Sequence, residues 1–465
     1  MSKSDSLIRN TAILTIGTLF TKVLAFIVIP LFSKWLSVED YGTFDLYSTY
    51  IMLLIPVLTL SCGEAVFRFL IDTKNDDERN RIVSSGTGII VIGILIGVIG
   101  VSIFLQESRL IKISLIIYLT MEIINNYLLS YVRGEKTLMI YAQASILTMV
   151  GYAVFVTLTV YFWKMGLTGI LFGYGAAYGL SNLFIVVRSG FLSRLRIDKV
   201  KKSTIQELLR YSTPLIPNTI SWWIMNVSDR TILNWVLGAA TQGVYSIACK
   251  IPSLCSTLFG VFQLSWQQSV SETINDDDKE VFYNQVLNNL ICTISSICIG
   301  VLSVNFIMFD YIFDPKYANA YWHSGLLIPA TAMSSVAAYL GGIFIGQKDT
   351  KSNGSTTMMT AVINVAVHLA LIRFIGVYAA SVSTVAGYAV LIAVRWLKIS
   401  RTIKLRINKK TGIVLLLFAY YIGIQYYRCN VLEIVNIVAA VVIFAAVNRA
   451  FILKMLRGIA AKIKH

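Results

Sequence analysis

Apolar residues in this chain do not alternate with polar ones. They come in blocks of about 20, separated by short polar gaps, and the blocks recur from Thr11 almost to the C-terminal end. At about 1.5 Å of rise per residue, a block of that length spans the ~30 Å hydrocarbon core of a bilayer as a helix. The pattern predicts an all-α polytopic membrane protein with fourteen transmembrane helices. Their expected limits are 11–33, 41–66, 82–105, 111–131, 138–161, 167–188, 210–237, 243–268, 285–309, 321–345, 355–373, 376–396, 411–427 and 431–451. The first block, from Thr11 to Phe32, exceeds the apolar core of a secretory signal, and no small-residue cleavage site follows it. It is therefore expected to remain as the first span.

Charge placement gives an independent reading of the same count. Only 14% of the 465 residues are charged, against about 25% in a soluble domain. Cations collect in cytoplasmic loops. With the N-terminus inside, 29 of the 40 lysines and arginines fall on the inner side, and segments 188–210 and 395–410 carry seven each. Removing one helix would put a heavily basic loop outside, so both termini are expected in the cytoplasm. The net charge of +16 then expresses topology and contact with anionic headgroups. The basic loops are too short to carry a nucleic-acid recognition fold, so no nucleic-acid partner is expected. One inner loop, SETINDDDKE at 271–280, is acidic instead. It reads as a solvated linker or as a docking surface for a cytoplasmic partner.

A weak internal repeat accompanies these spans. A shift of 201 residues lays LSVEDYGTFDLY over LGAATQGVYSIA, and a shift of 207 lays Gly169 on Gly376 and Arg188 on Arg395. Both related segments start on the cytoplasmic side, six helices apart, which makes the repeats parallel. The implied organisation is an N-terminal six-helix bundle (1–200), a C-terminal six-helix bundle (201–405) and a terminal pair of helices with a basic tail (406–465).

The candidate chemistry lies in charges within the spans. Lys22, Arg68, Arg230 and Lys250 are the cations left after the loops are counted, and Asp45, Glu64, Glu122 and Asp229 are the nearby acids. A charge at mid-bilayer costs about 2.5–3.5 kcal/mol on insertion scales and usually faces a cavity or a partner. All four cations and three of the acids fall on the first, second, seventh and eighth spans, which the repeat makes equivalent. In SWWIMNVSDRTILNWVLG (221–238), Trp222 and Asp229 share a helical face with Asn218 and Met225, and Arg230 adjoins Asn226 at i, i+4. Such a face suits a wet cavity in which rings pack on sugars and a guanidinium meets a phosphate or carboxylate. Asp229 and Arg230 also read as a structural ion pair, although adjacent helical residues do not face each other. Glu64 and Arg68, at i, i+4, read as a structural pair. Lys22 has no acid three or four residues away and reads as a cavity residue. Lys250, beside Pro252, reads equally as a cavity or a snorkelling residue.

The six cysteines form no CxxC pair, and His368 reads as a hydrogen-bonded packing residue rather than a proton relay. Phosphate-binding loops, zinc motifs and nucleophile elbows are absent from the sequence, so a transporter is expected rather than an enzyme, with no cofactor and with H⁺ or Na⁺ as candidate coupling ions.

Three stretches resemble a known group: RNTAILTIGTLFTKVLAFIVIPLFSKWLSVEDYGTFDLYSTY (9–50), LGAATQGVYSIACKIPSL (237–254) and YIFDPKYANAYWHSGLLIPA (311–330). They look like the polysaccharide-type flippases of the multidrug/oligosaccharidyl-lipid/polysaccharide exporter superfamily, many of them O-antigen translocases. The resemblance covers essentially the whole chain through its overall pattern. It implies a MATE-like fold of two six-helix bundles plus a C-terminal helical hairpin. It also implies a bacterial inner-membrane protein that moves undecaprenyl-diphosphate-linked oligosaccharides and works beside glycan polymerases and ligases. The family's basic cavity residues are represented by Lys22, Arg230 and Lys250, and by Arg68. A peptidoglycan-precursor flippase, a cation-coupled small-molecule exporter and a non-transporting scaffold of a glycan-assembly complex are the alternatives.

Overall fold

A computed structural model describes residues 28–449 apart from Lys74, Asn275, Lys348, Arg428 and Cys429. The first expected span therefore lies largely outside the described residues, and Lys22 with it. Each of the other thirteen expected helices coincides with helix. We label them α1 (Val38–Leu58), α2 (Cys62–Asp72), α3 (Asp76–Phe104), α4 (Arg109–Gly134), α5 (Leu138–Val156), α6 (Gly166–Ser189), α7 (Lys202–Ser212), α8 (Ile216–Leu237), α9 (Ala239–Thr273), α10 (Lys279–Ile307), α11 (Ala320–Gly346), α12 (Thr350–Ile375), α13 (Tyr378–Ile399), α14 (Lys409–Ile424) and α15 (Asn430–Val447). Short π-helical turns extend α5 and α10 to Phe162 and Ile312.

The helix starts follow local chemistry. Ser37, Asn75, Ser108, Asp349 and Asn408 each accept a backbone N–H from the first turn of the helix they precede, the side-chain cap that satisfies an otherwise orphaned donor. Asp76, Asp77 and Glu78 add negative charge at the start of α3, where the helix dipole favours it. Asp349 lies outside the spans, and its carboxyl is held below the usual range by hydrogen bonds from Ser352.

Among the described residues, eight helices are long and apolar enough to cross a membrane, and a ninth span results if α1 and α2 are taken together. The protein is a multi-pass membrane protein. Its α3 shows why such helices read so clearly in sequence: Val91, Ile92, Leu95, Ile96, Ile99 and Ile103 are all exposed, forming an apolar face suited to lipid.

The second expected span, 41–66, is not one helix. It breaks after Leu58, and α2 leaves at 54° to α1. Pro56 sits in the last turn of α1, and Leu60 and Ser61 both take left-handed backbone, with φ of 50° and 52°. Proline removes a helical donor and strains the preceding turn, and two successive left-handed residues redirect the chain. Gly93 on α3 accommodates the break, because a side chain there would collide with the Leu58 carbonyl.

The chain divides into two compact units, Met1–Val227 and Ser228–His465. In the first, α4 packs on α6 and α6 on α5, with Gly175 admitting the α4 backbone at Ile117 and Tyr118. In the second, α9 packs on α11, α11 on α13, and α13 on α12. Gly342 faces the Trp266 ring, which stacks on Tyr339 at 4.4 Å and donates from Nε1 to the Tyr339 carbonyl at 2.9 Å. Tyr339 in turn donates to the Tyr283 carbonyl at 2.7 Å.

Arg395 corrects the loop count. The sequence reading assigned it to the basic inner segment 395–410, but α13 continues to Ile399 and buries Arg395 to 4% exposure. Its guanidinium donates to the Ala337 carbonyl (2.6 Å), to the Asn353 side chain (2.8 Å) and carbonyl (3.3 Å), and to the hydroxyls of Thr356 (3.1 Å) and Thr357 (2.9 Å). One cation thus ties α13 to α11 and α12.

Candidate functional site

Two polar clusters stand inside the apolar helices, one in each unit. In the first unit, the broken span opens a cavity of about 270 Å³, whose lining includes Thr59, Ser61, Glu64, Glu122, Asn126 and Thr219. Glu122 stands on α4, where its Oε1 accepts from the Tyr178 hydroxyl at 3.1 Å and its Oε2 has no hydrogen-bond partner. Behind it lies a tyrosine stack: Tyr118 on Tyr178 with ring centres 6.0 Å apart, and Tyr152 on Tyr174 at 4.1 Å. Asn125 joins α4 to α6 by donating to Asn182 at 2.9 Å and to Ser181 at 3.0 Å.

The second cluster centres on Asp229 of α8, which is 6% exposed. Its Oδ2 accepts from the Tyr245 hydroxyl of α9 at 3.1 Å and from the Thr384 hydroxyl of α13 at 2.9 Å. Its Oδ1 lies 3.3 Å from Nδ1 of His368 on α12. The His368 ring is fully buried. Four helices therefore converge on one carboxylate.

The expected site residues distribute unevenly over this geometry. Glu64 and Glu122 come together at the first cavity, and Asp229 forms the second cluster. The Glu64–Arg68 pair does not form. Arg68 turns outward to Asp72 at 2.9 Å, with both side chains half-exposed, and Glu64 faces Arg133 at 3.6 Å. Glu64, Arg68 and Asp72 are successive i, i+4 positions on α2, and Arg68 takes the acid on its C-terminal side while Glu64 is left to Arg133 of α4. Asp45 is buried on α1 at 4% exposure. Arg230 and Lys250 are partly buried on α8 and α9, each engaged in interactions of its own. The backbones of Trp222 and Asn226 belong to α8, while their side chains lie outside the described residues, as does Lys22. The sequence reading missed His368 as a partner of Asp229. The available signal was Asn364 and His368 at i, i+4 in an otherwise apolar run, a polar pair on one helical face.

Comparison with known proteins agrees with this architecture. A family model described as polysaccharide biosynthesis protein matches residues 7–266. Two proteins of Haemophilus influenzae are similar in sequence. One is an Lsg locus protein, 25% identical over 259 residues, which are 53% of this chain and 62% of that one. The other is an uncharacterized membrane protein, 23% identical over 258 residues, which are 54% and 62%. The match thus takes in less than two thirds of either relative. Among solved structures, the lipid II flippase MurJ in an inward closed conformation superposes with a TM-score of 0.68 at 15% identity, over 95% of this chain and 99% of that one. An inward-facing multidrug resistance MATE family transporter of the MOP superfamily gives 0.67 at 12% identity, over 81% and 93%. At such identities the likeness is one of fold, and the fold is that of membrane transporters.

Proposed function

Because the chain belongs to the polysaccharide biosynthesis protein family, we propose that it is a flippase for undecaprenyl-diphosphate-linked oligosaccharides in a bacterial inner membrane, serving O-antigen, capsule or exopolysaccharide assembly. The family match carries this reading. The shared fold with a lipid II flippase supports a lipid-linked cargo. In this account fourteen spans with both ends cytoplasmic form two six-helix bundles and a terminal hairpin. No bond is made or broken. The prenyl tail stays in lipid while the sugar diphosphate crosses a ~30 Å apolar slab, where its charges need compensating cations. Lys22, Arg230 and Lys250 supply them, and Trp222 and Asn226 contact the sugars. Polymerases or ligases take the product in the outer leaflet.

Replacing Lys22 or Arg230 by Ala, at matched membrane abundance, should lower glycan export about ten- to a hundredfold, the loss of one charge-assisted hydrogen bond of roughly 1.5–3 kcal/mol. Exchanging Lys for Arg, or the reverse, should restore part of it. Unimpaired export in all variants would defeat the role given to these cations. A second reading, export of small cationic molecules, draws on Glu64 and Glu122 at the first cavity. It is distinguished by dye efflux that these carboxylates control.

A further inference from the structure

The polar atoms around Asp229 include several that no hydrogen bond accounts for. Oδ1 of Asp229, both ring nitrogens of His368 and Oδ1 of Asn364 are buried without a hydrogen-bond partner. His368 is fully buried, Asn364 is 4% exposed, and the two share a face of α12 at i, i+4. Unsatisfied polar atoms of this kind are costly in an apolar bundle and commonly mark a missing proton, ion or water.

We propose that Asp229 and His368 form a proton-binding pair that couples transport to a proton gradient. The inference rests on the transport reading above and names its coupling ion. Its basis is the 3.3 Å approach of Nδ1 to Oδ1, within ion-pair distance once the ring is protonated although not aligned as a hydrogen bond. In the tautomer that carries its hydrogen on Nδ1, Nε2 carries a lone pair. A proton arriving there converts a neutral imidazole beside a carboxylate, net charge −1, into an imidazolium–carboxylate pair of net charge zero. Its departure reverses the change. Inside a low-dielectric bundle those two states differ strongly in cost, so proton binding selects between arrangements of the four helices. The Asn364 carbonyl oxygen, a buried acceptor with no hydrogen-bond partner, belongs to the same face of α12 one turn earlier.

Sodium fits the same place poorly. A hard cation requires several oxygen ligands. Here the Tyr245 hydroxyl donates to Oδ2, the Thr384 hydroxyl shares its one proton between Oδ2 and the Ala380 carbonyl, and an imidazole nitrogen lies 3.3 Å from Oδ1. Among the described residues no group of three or more His, Cys, Asp or Glu side chains is arranged to hold a metal ion. The remaining titratable neighbours are Arg230 on the same helix, Tyr245 and Cys249 on α9, and Tyr388 on α13, all close enough to interact electrostatically within the cluster. Lys250 follows Cys249 on α9. From α11, His323 packs on the Tyr378 ring and Tyr339 on Trp266.

The chain has three histidines, so ring-nitrogen resonances of isotopically labelled histidine can be resolved in reconstituted membranes and assigned with H368Q. The expected result is a His368 resonance that moves between its neutral and protonated positions as the pH is changed. The shift should change in D229N and should be unaffected when sodium replaces potassium. In proteoliposomes, an imposed pH gradient should accelerate glycan-lipid movement and, for one coupled proton, raise its steady-state ratio across the membrane up to about tenfold per pH unit, and H368Q and D229N should lose that acceleration. A His368 resonance that never changes with pH, or one that responds to sodium, would overturn the proposal, as would pH-gradient acceleration intact in both variants. A protein that moves no glycan lipid but whose His368 titrates under Asp229 control would overturn the flippase reading and leave the proton site standing.

Discussion

Arg395 shows how much one residue can hold in this protein. Its five donated hydrogen bonds satisfy acceptors on α11 and α12 deep in the second unit. Removing it strands several of them, at about 1–3 kcal/mol per buried group. Arg395→Ala should lower the thermal unfolding midpoint of the purified protein substantially. Arg395→Lys should lie between the two, since an ammonium keeps the charge but lacks the planar fork. An Ala variant as stable as the parent would show that the network carries no net stability. The sequence identified Asp229 and Glu122 as buried acids because a charge in an apolar run stands out. It concealed Arg395, which sits near a helix end among genuine loop cations. It also concealed His368, whose partner is more than a hundred residues away in the chain. A residue's type and depth are local properties, whereas its partner is set by how helices pack.

At the scale of elements, the break between α1 and α2 is the clearest departure from the expected pattern. Hydropathy reports which residues tolerate lipid, and Leu58, Leu60 and Cys62 tolerate it in a bent span as well as in a straight one. Pro56 was the visible clue, but the left-handed pair Leu60–Ser61 was not. Left-handed backbone costs a non-glycine residue about 1–2 kcal/mol. Ser61→Gly should therefore raise stability by up to about 1 kcal/mol while keeping the bend, and Ser61→Val should lower it, since a branched side chain suits that backbone badly. Chemical or thermal unfolding in detergent tests both, and the opposite order would argue against strain at the break. Ser61 and Glu64 both line the first cavity, so Ser61→Val should also alter access of small reagents to Glu64.

For the whole molecule, thirteen of the fourteen expected helices overlap helix among the described residues, the second of them as a bent pair. Among the described residues, length and apolarity alone qualify eight of the helices as spans, or nine with the bent pair. Helix α8, which carries Asp229 and Arg230, is not among them: its asparagines and charged pair interrupt the apolar run, and the same polarity marks it as a site. The fourteen-span account makes a topological prediction. A cysteine at Lys164 should react with an impermeant thiol reagent from the outer side of the membrane, and one at Lys199 only after the cytoplasmic side is opened. The reverse pattern would invert the orientation.

Translocation by the purified protein in proteoliposomes tests the central claim most directly. A leaflet-specific probe would follow an undecaprenyl-diphosphate oligosaccharide, an undecaprenyl-diphosphate muropeptide and a cationic dye in parallel. A polysaccharide flippase should move the oligosaccharide lipid in preference to the other two. Efflux of the dye with no movement of either lipid would contradict the account, and would transfer the function to the carboxylates of the first cavity.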